Sequence, residues 1–176
     1  MTGGFGGTMA SVYIAQGEHA IGNREEDVIT TILGSCVAVC LRDRRRKLGG
    51  MNHILLPGSA RSDIVTRSVG AGAMEALINA LLKAGATKSE FEAKVFGGAA
   101  VVAGLSNIGE RNSAFALDYL TTERIPIISQ SLGGTQARRI RFWPATGRVS
   151  QKLVVSSEVQ EAIAIRPAKT NDVELL

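Results

Sequence analysis

Most of this chain breaks into short apolar runs closed by glycine, proline or charge, and only two stretches keep the period of a helix. The runs are "SVYIAQ" (11–16), "DVITTIL" (27–33), "CVAVCLRD" (36–43), "LGGMNHILLP" (48–57), "FEAKVFGG" (91–98), "IPIIS" (125–129), "ARRIRFWP" (137–144) and "GRVSQKLVV" (147–155). Each has the length and β-branched content of a strand. Gly34-Ser35 interrupts the second and third, the basic run turns the third into the fourth, and a Pro-Ala-Thr-Gly turn joins the last two. The two helical stretches are 69–86, with an apolar stripe through Ala73/Met74, Leu77/Ile78 and Leu81/Leu82 and Gly85 as its stop, and 107–123, opened by Asn107 with Glu110 three residues on. The second stripe joins Ile108, Phe115, Tyr119 and Leu120, but the same spacing places Arg111 and Asn112 on it. Polar groups turned inward need partners, so these two tie down a loop or serve a site. Residues 58–68 read as a polar loop, and His19 in "QGEHAIG" as a solvated histidine in a turn. Hairpin-like runs with two inserted helices give an α+β fold, helices covering one side of a mostly antiparallel sheet.

A chain of 176 residues, 45% apolar and 20% charged, is long enough for one globular domain with a real core. We expect a single domain over 11–156, a flexible glycine-rich leader over 1–10 and a mobile tail over 157–176. No apolar run approaches the roughly 18 to 20 residues of a membrane span, so a cytoplasmic protein without membrane insertion is expected. Cys36 and Cys40 on one strand would lie roughly 13 Å apart at about 3.3 Å per residue, beyond the reach of a disulfide, so both are expected as free thiols.

The formal net charge of +4 is concentrated in Arg42–Lys47, five positive charges against one negative. One basic patch on a neutral body is not the composition of a nucleic-acid-binding protein. It reads either as a solvated turn or as an electrostatic guide for an acidic partner.

Glycine clusters raise the question of a nucleotide site, and the answer is negative. "GGAAVVAG" lacks the Lys-Ser/Thr ending of a P-loop, and "GAGAME" does not follow a strand. Two histidines and two thiols at these spacings match no zinc pattern, and no metal or cofactor is expected. Cys36 and His53 differ from the rest. They are about equally far from the basic turn, so a hairpin would set them opposite each other, where a thiol and an imidazole can touch. The histidine could then act as base toward the thiol, and the corner at Gly34 and Ser35 could turn backbone N–H groups toward an oxyanion. A buried structural cysteine beside a structural histidine is the competing reading. Cys40 has no such partner and reads as core.

In order and spacing, "LGSCVAVCLRD", "GGMNHILLP", "AMEALINALLKAGA", "AKVFGGA", "IGERN", "YLTTERIPI", the glycines at 133–134 and "RFWPATGRV" resemble the chemoreceptor glutamine deamidase (CheD) family, from about Ile14 to Val154. The resemblance implies an α/β/β sandwich similar to deamidating bacterial toxins. It also implies a cofactor-free enzyme that converts receptor glutamines to glutamates, and, in some bacteria, a complex with the chemotaxis phosphatase CheC. The family's catalytic cysteine and histidine fall on Cys36 and His53, and its threonine, six residues before the cysteine, on Thr30. Two segments depart from the family pattern: "RSVGAGAME" stands where a more polar stretch with an acidic residue is expected, and "SQSLGG" has no acid before its glycines. An amidase or esterase of the same chemistry on another protein, or a chiefly regulatory binding partner, are the alternatives.

Overall fold

The computed structural model describes residues 11–58, 63–102 and 106–155. The expected leader and tail lie outside these residues. Nine strands and two α-helices follow one another as β1 (Ser11–Tyr13), β2 (His19–Gly22), β3 (Val28–Leu33), β4 (Val37–Asp43), β5 (Leu48–Asn52), α1 (Asp63–Lys83), β6 (Phe91–Gly97), α2 (Ser106–Thr122), β7 (Ile127–Leu132), β8 (Ala137–Trp143) and β9 (Arg148–Val154). They form a four-stranded sheet in the order β1-β3-β8-β9 and a five-stranded sheet in the order β2-β5-β4-β6-β7. Only β1/β3 and β6/β7 pair in parallel.

Strand alternation sends the two faces of β4 into two different cores. Val37, Val39 and Leu41 pack with Met74, Leu77 and Leu81 of α1 and with Ala116 and Leu120 of α2. Ala38 and Cys40 face the other way and meet Ile29, Leu33, Ile140 and Phe142 of the four-stranded sheet. The result is three layers, helices on a five-stranded sheet on a four-stranded sheet, which is the expected α/β/β arrangement. Gly34 and Ser35 carry the chain from one sheet to the other, so Cys36 stands at the mouth of the inter-sheet core.

Several boundaries differ from those expected: β5 stops at Asn52 rather than running to 57, β7 is shifted from 125–129 to Ile127–Leu132, and three further differences have a visible cause. Helix α1 begins at Asp63, inside the stretch expected as a polar loop and six residues before the expected start at 69: Thr66 and Gly70 extend the buried stripe one turn at a time, while Ile64, Val65 and Val69 stay exposed and hide the pattern. The helix does end as expected, with Gly85 at φ +105° and the amides of Gly85 and Ala86 bonded to Leu82 and Leu81. The segment read as a polar turn around His19 is strand β2, paired with β5 from His19↔Asn52 to Gly22↔Gly49, with the His19 side chain exposed. The first strand stops at Tyr13, where the Glu18 carboxylate takes the amide of Ala15 and Gly17 at φ +82° turns the chain.

The basic hairpin tip is not a free charge cluster. Arg44 and Arg45 both reach the Glu90 carboxylate (3.1 and 3.3 Å), Lys47 reaches Glu25 (2.7 Å), and Arg46 donates to the Gly85 carbonyl. Beneath them Asp43 is fully buried. Burial works to raise its pKa, but N–H bonds from Thr87, Arg45 and Arg46 outweigh it and hold the carboxyl below its ordinary value.

Candidate active site

The β4/β5 hairpin sets the geometry of the thiol and the imidazole. Asp43 pairs with Leu48 and Cys40 with Met51, and an isolated bridge joins Val37 to Ile54. In this register His53 lies across from Ala38, and Cys36 across from Leu55. The expected head-on pair is therefore two residues out, because the carboxylate of Asp43 accepts the amides of Arg45 and Arg46 and centres the turn between those two residues, one residue later than the midpoint of Cys36 and His53. Cys36 and His53 become diagonal neighbours on one face, with Cα atoms roughly 7 to 8 Å apart and Cβ atoms closer, still within reach of a ring and a thiol. That face is the inter-sheet one, since Ala38, Cys40 and Met51 lie in that core and Cys36 packs against it.

The ring of His53 is buried and reaches across to the other sheet, where its Nδ1 lies 2.7 Å from Oγ1 of Thr31. The same hydroxyl donates its one proton to the carbonyl of Ile14 at 2.8 Å. Toward the imidazole it can then only accept, so Nδ1 carries the ring proton and the lone pair of the neutral ring is on Nε2. The backbone of His53 is fixed as well: its amide donates to Glu18 and its carbonyl accepts from Gly17.

The threonine expected in this place was Thr30. The structure brings Thr31 to the imidazole instead, because Ile29, Thr31 and Leu33 share the inward face of β3 and Thr30 faces the outer side of the four-stranded sheet, paired in register with Tyr13 and Arg141.

The corner before the cysteine is held at three consecutive carbonyls. Gly34 accepts from the amide of Ala99 (3.0 Å), Ser35 from Nδ2 of Asn112 (2.8 Å) and Cys36 from the amide of Gly98 (2.8 Å). Across a trans peptide the carbonyl and the following N–H point opposite ways. The amides of Ser35 and Cys36 are thus turned away from α2 and the end of β6. Asn112 was one of the two inward polar residues of the second helical stripe, and it does tie down a loop. Fully buried, it accepts from the amide of Leu56 (3.0 Å) while donating to Ser35, which joins the segment after His53 to the corner before Cys36. Arg111 lies half-buried in the groove between the helices.

Two glycine motifs exist for this contact. A Cβ on Gly97 (φ +115°) would stand 2.2 Å from the Cys36 carbonyl oxygen, and one on Gly109 would stand 2.4 Å from that of Gly98. "FGG" and "IGERN" therefore let α2 and the end of β6 close on the cysteine corner, a close approach any side chain would block.

Burial pushes the Cys36 thiol up to about 11, with its own backbone N–H against the sulfur working the other way. Cys40, sealed between the sheets, is pushed up further by burial. Neither cysteine is in a disulfide. At rest the Cys36 sulfur is a thiol, so any nucleophilic role needs a base at the moment of attack.

Nearly the whole chain is similar to known proteins. A family model described as "CheD chemotactic sensory transduction" matches residues 55–153. A protein of Agrobacterium fabrum, "Probable chemoreceptor glutamine deamidase CheD", is 48% identical over 172 residues, covering 93% of this chain and 94% of its own. Proteins with the same name are 47% identical in Rhizobium leguminosarum bv. trifolii (92% of this chain, 91% of theirs) and 52% identical in Caulobacter vibrioides NA1000 (81% and 78%). Among solved structures, the hypothetical protein YfiH of Bacillus licheniformis is 14% identical, with a TM-score of 0.43 over 64% of this chain and 49% of its own, a likeness too distant to bear on fold or activity. Among the described residues no helix is long and apolar enough to cross a membrane. This chain belongs to the CheD family of chemotactic sensory transduction proteins.

Proposed function

We propose that this protein deamidates glutamine side chains of chemoreceptors by acyl transfer through Cys36. The observation that carries the proposal is the imidazole of His53, held at Nδ1 by Thr31 from the opposite sheet, diagonal to the thiol on the same face with an offset of two residues. In this reading Nε2 takes the thiol proton as Sγ attacks the amide carbon of a receptor glutamine. The oxygen of the tetrahedral intermediate is met by the amides of Ser35 and Cys36, with Gly34 keeping the corner tight. His53 then returns the proton to the leaving nitrogen, ammonia departs, and a thioester remains on Cys36. Water attacks that thioester with His53 again as base, releasing glutamate and restoring the thiol. Thr31 is a positioning residue: it fixes tautomer and orientation, the part a carboxylate or amide plays in other triads.

The proposal is tested by ammonia release from the cytoplasmic fragment of a chemoreceptor of the same cell, with mass spectrometry locating the converted glutamines. Release by the native protein and none by a folded Cys36→Ala variant supports it; equal release by both overturns it. Control by CheC, which the family resemblance implies, belongs to the same proposal and is read by adding purified CheC to this assay.

A further inference from the structure

Among the described residues, no carboxylate pairs with the cations on the outer face of the four-stranded sheet. Strand alternation directs Ser11, Tyr13, Thr30, Ile32, Arg139, Arg141, Trp143, Arg148, Ser150 and Lys152 away from the inter-sheet core, and among these outward positions there is no carboxylate. Arg141, Arg148 and Lys152 are exposed, and Arg139 and Trp143 half-buried. In the register of β8 and β9, Arg139 stands directly opposite Lys152, with Arg141 two residues further along the same strand. Like charges facing each other across strands destabilise a sheet, and ion pairs elsewhere in the protein show how readily it neutralises its cations, as at the hairpin tip. The two remaining guanidinium groups are ordered rather than loose: Arg148 lies 3.9 Å and Arg141 5.1 Å from the centre of the Trp143 ring. Stacking on indole restrains both side chains and leaves their N–H edges for an outside acceptor.

We propose that this face docks the protein on an acidic helical surface of its protein substrate. The inference rests on the receptor reading above and extends it to how the substrate is held. Arg139 and Arg141, two residues apart on one strand, are spaced about 6.8 Å, close to the roughly 6 Å rise between carboxylates four residues apart on a helix. The reaction itself makes such a surface, since each glutamine converted adds a carboxylate to the substrate. Arginine suits that partner, because its planar fork takes a carboxylate by two parallel bonds.

The test measures binding apart from turnover. A catalytically silent Cys36→Ala protein is titrated with the cytoplasmic receptor fragment at low and high salt, then again with Arg139→Gln, Arg141→Gln and Lys152→Gln added. We expect about tenfold or greater loss of affinity at low salt and a flattened salt dependence. Removing three arginines from the hairpin tip instead (Arg44→Gln, Arg45→Gln, Arg46→Gln) should leave binding unchanged, which separates this face from net charge. The triple face variant should also unfold at an equal or higher temperature, its repulsion relieved, and the single Lys152→Glu variant reports in case it does not fold. Unchanged affinity and salt slope, or no binding before any face change, overturns the docking proposal. Loss of binding to vesicles of anionic lipid rather than to the fragment assigns the face to a membrane and overturns it too. Ammonia release is read separately with the active protein. Firm binding without release contradicts the deamidase reading and leaves the docking face standing.

Discussion

Replacing Thr31 by valine removes one oxygen and keeps the volume, and two hydrogen bonds go with it. Oγ1 accepts from Nδ1 of His53 at 2.7 Å and donates to the Ile14 carbonyl at 2.8 Å, in a residue with no exposed surface. Both former partners are left buried, at about 1 to 3 kcal/mol each when unsatisfied, so we expect Thr31→Val to lose about 2 to 6 kcal/mol of stability. The effect on catalysis is separate. Without the acceptor, the ring is free to move its proton to Nε2, the atom that acts as base in the proposed reaction, and to tilt from its line to the thiol. A misplacement of about 1 Å costs about a hundredfold, so kcat should fall about ten- to a hundredfold. Thr31→Ser, which keeps the hydroxyl, should recover most of it. Thr30→Val, on the outer face, should keep kcat within about twofold. Urea unfolding gives the stability, ammonia release gives kcat, and nitrogen chemical shifts of His53 report the tautomer directly. Full activity in folded Thr31→Val, with activity lost in Thr30→Val, would refute the assignment.

The remaining expectations follow from the same contacts. Iodoacetamide labelling of Cys36 should rise about tenfold per pH unit and still be climbing above pH 9, because a thiol raised to about 11 gains thiolate throughout that range; a plateau below pH 9 contradicts the burial argument. Cys40→Ala should cost about 1 kcal/mol of packing by denaturant melt and leave activity intact. Asn112→Ala frees the amide of Leu56 and the carbonyl of Ser35 and should lower kcat more than KM, since it loosens the corner and not the docking face. Asp43→Asn should narrow the difference in stability between pH 7 and pH 3. Its carboxyl is held below the ordinary value, so its contribution is present above the unfolded pKa and lost as pH falls through the folded one.

The alternation of apolar runs and the glycine stop at Gly85 are local signals, and they gave the architecture and the end of α1. Register and face were harder. Both faces of β3 are largely apolar, Val28 and Ile32 on one, Ile29 and Leu33 on the other, so nothing in the run itself tells Thr30 from Thr31. The centre of the basic turn depends on one carboxylate, Asp43, bonding two amides, and that offsets His53 by two residues from the position opposite Cys36. Strand β2 escaped because its partners on β5 include Gly49 and Gly50, which offer no side chains to pair; a Cβ on Gly50 would meet the Ala20 carbonyl at 2.7 Å. The charge of Arg44–Lys47 looked free because Glu25 and Glu90 are distant in sequence. Asn112, by contrast, was marked by its place on an apolar stripe, and that helical period was enough to find it.

The central claim is a covalent glutamyl thioester on Cys36, and hydroxylamine tests it most directly. Added during turnover on the receptor fragment, it should divert the acyl group to a glutamyl hydroxamate at the same positions that otherwise become glutamate. The hydroxamate should be absent with Cys36→Ala and with His53→Ala and should form normally with Cys40→Ala. Glutamate formed by a folded Cys36→Ala protein, or hydroxamate lost in Cys40→Ala alone, would contradict the account.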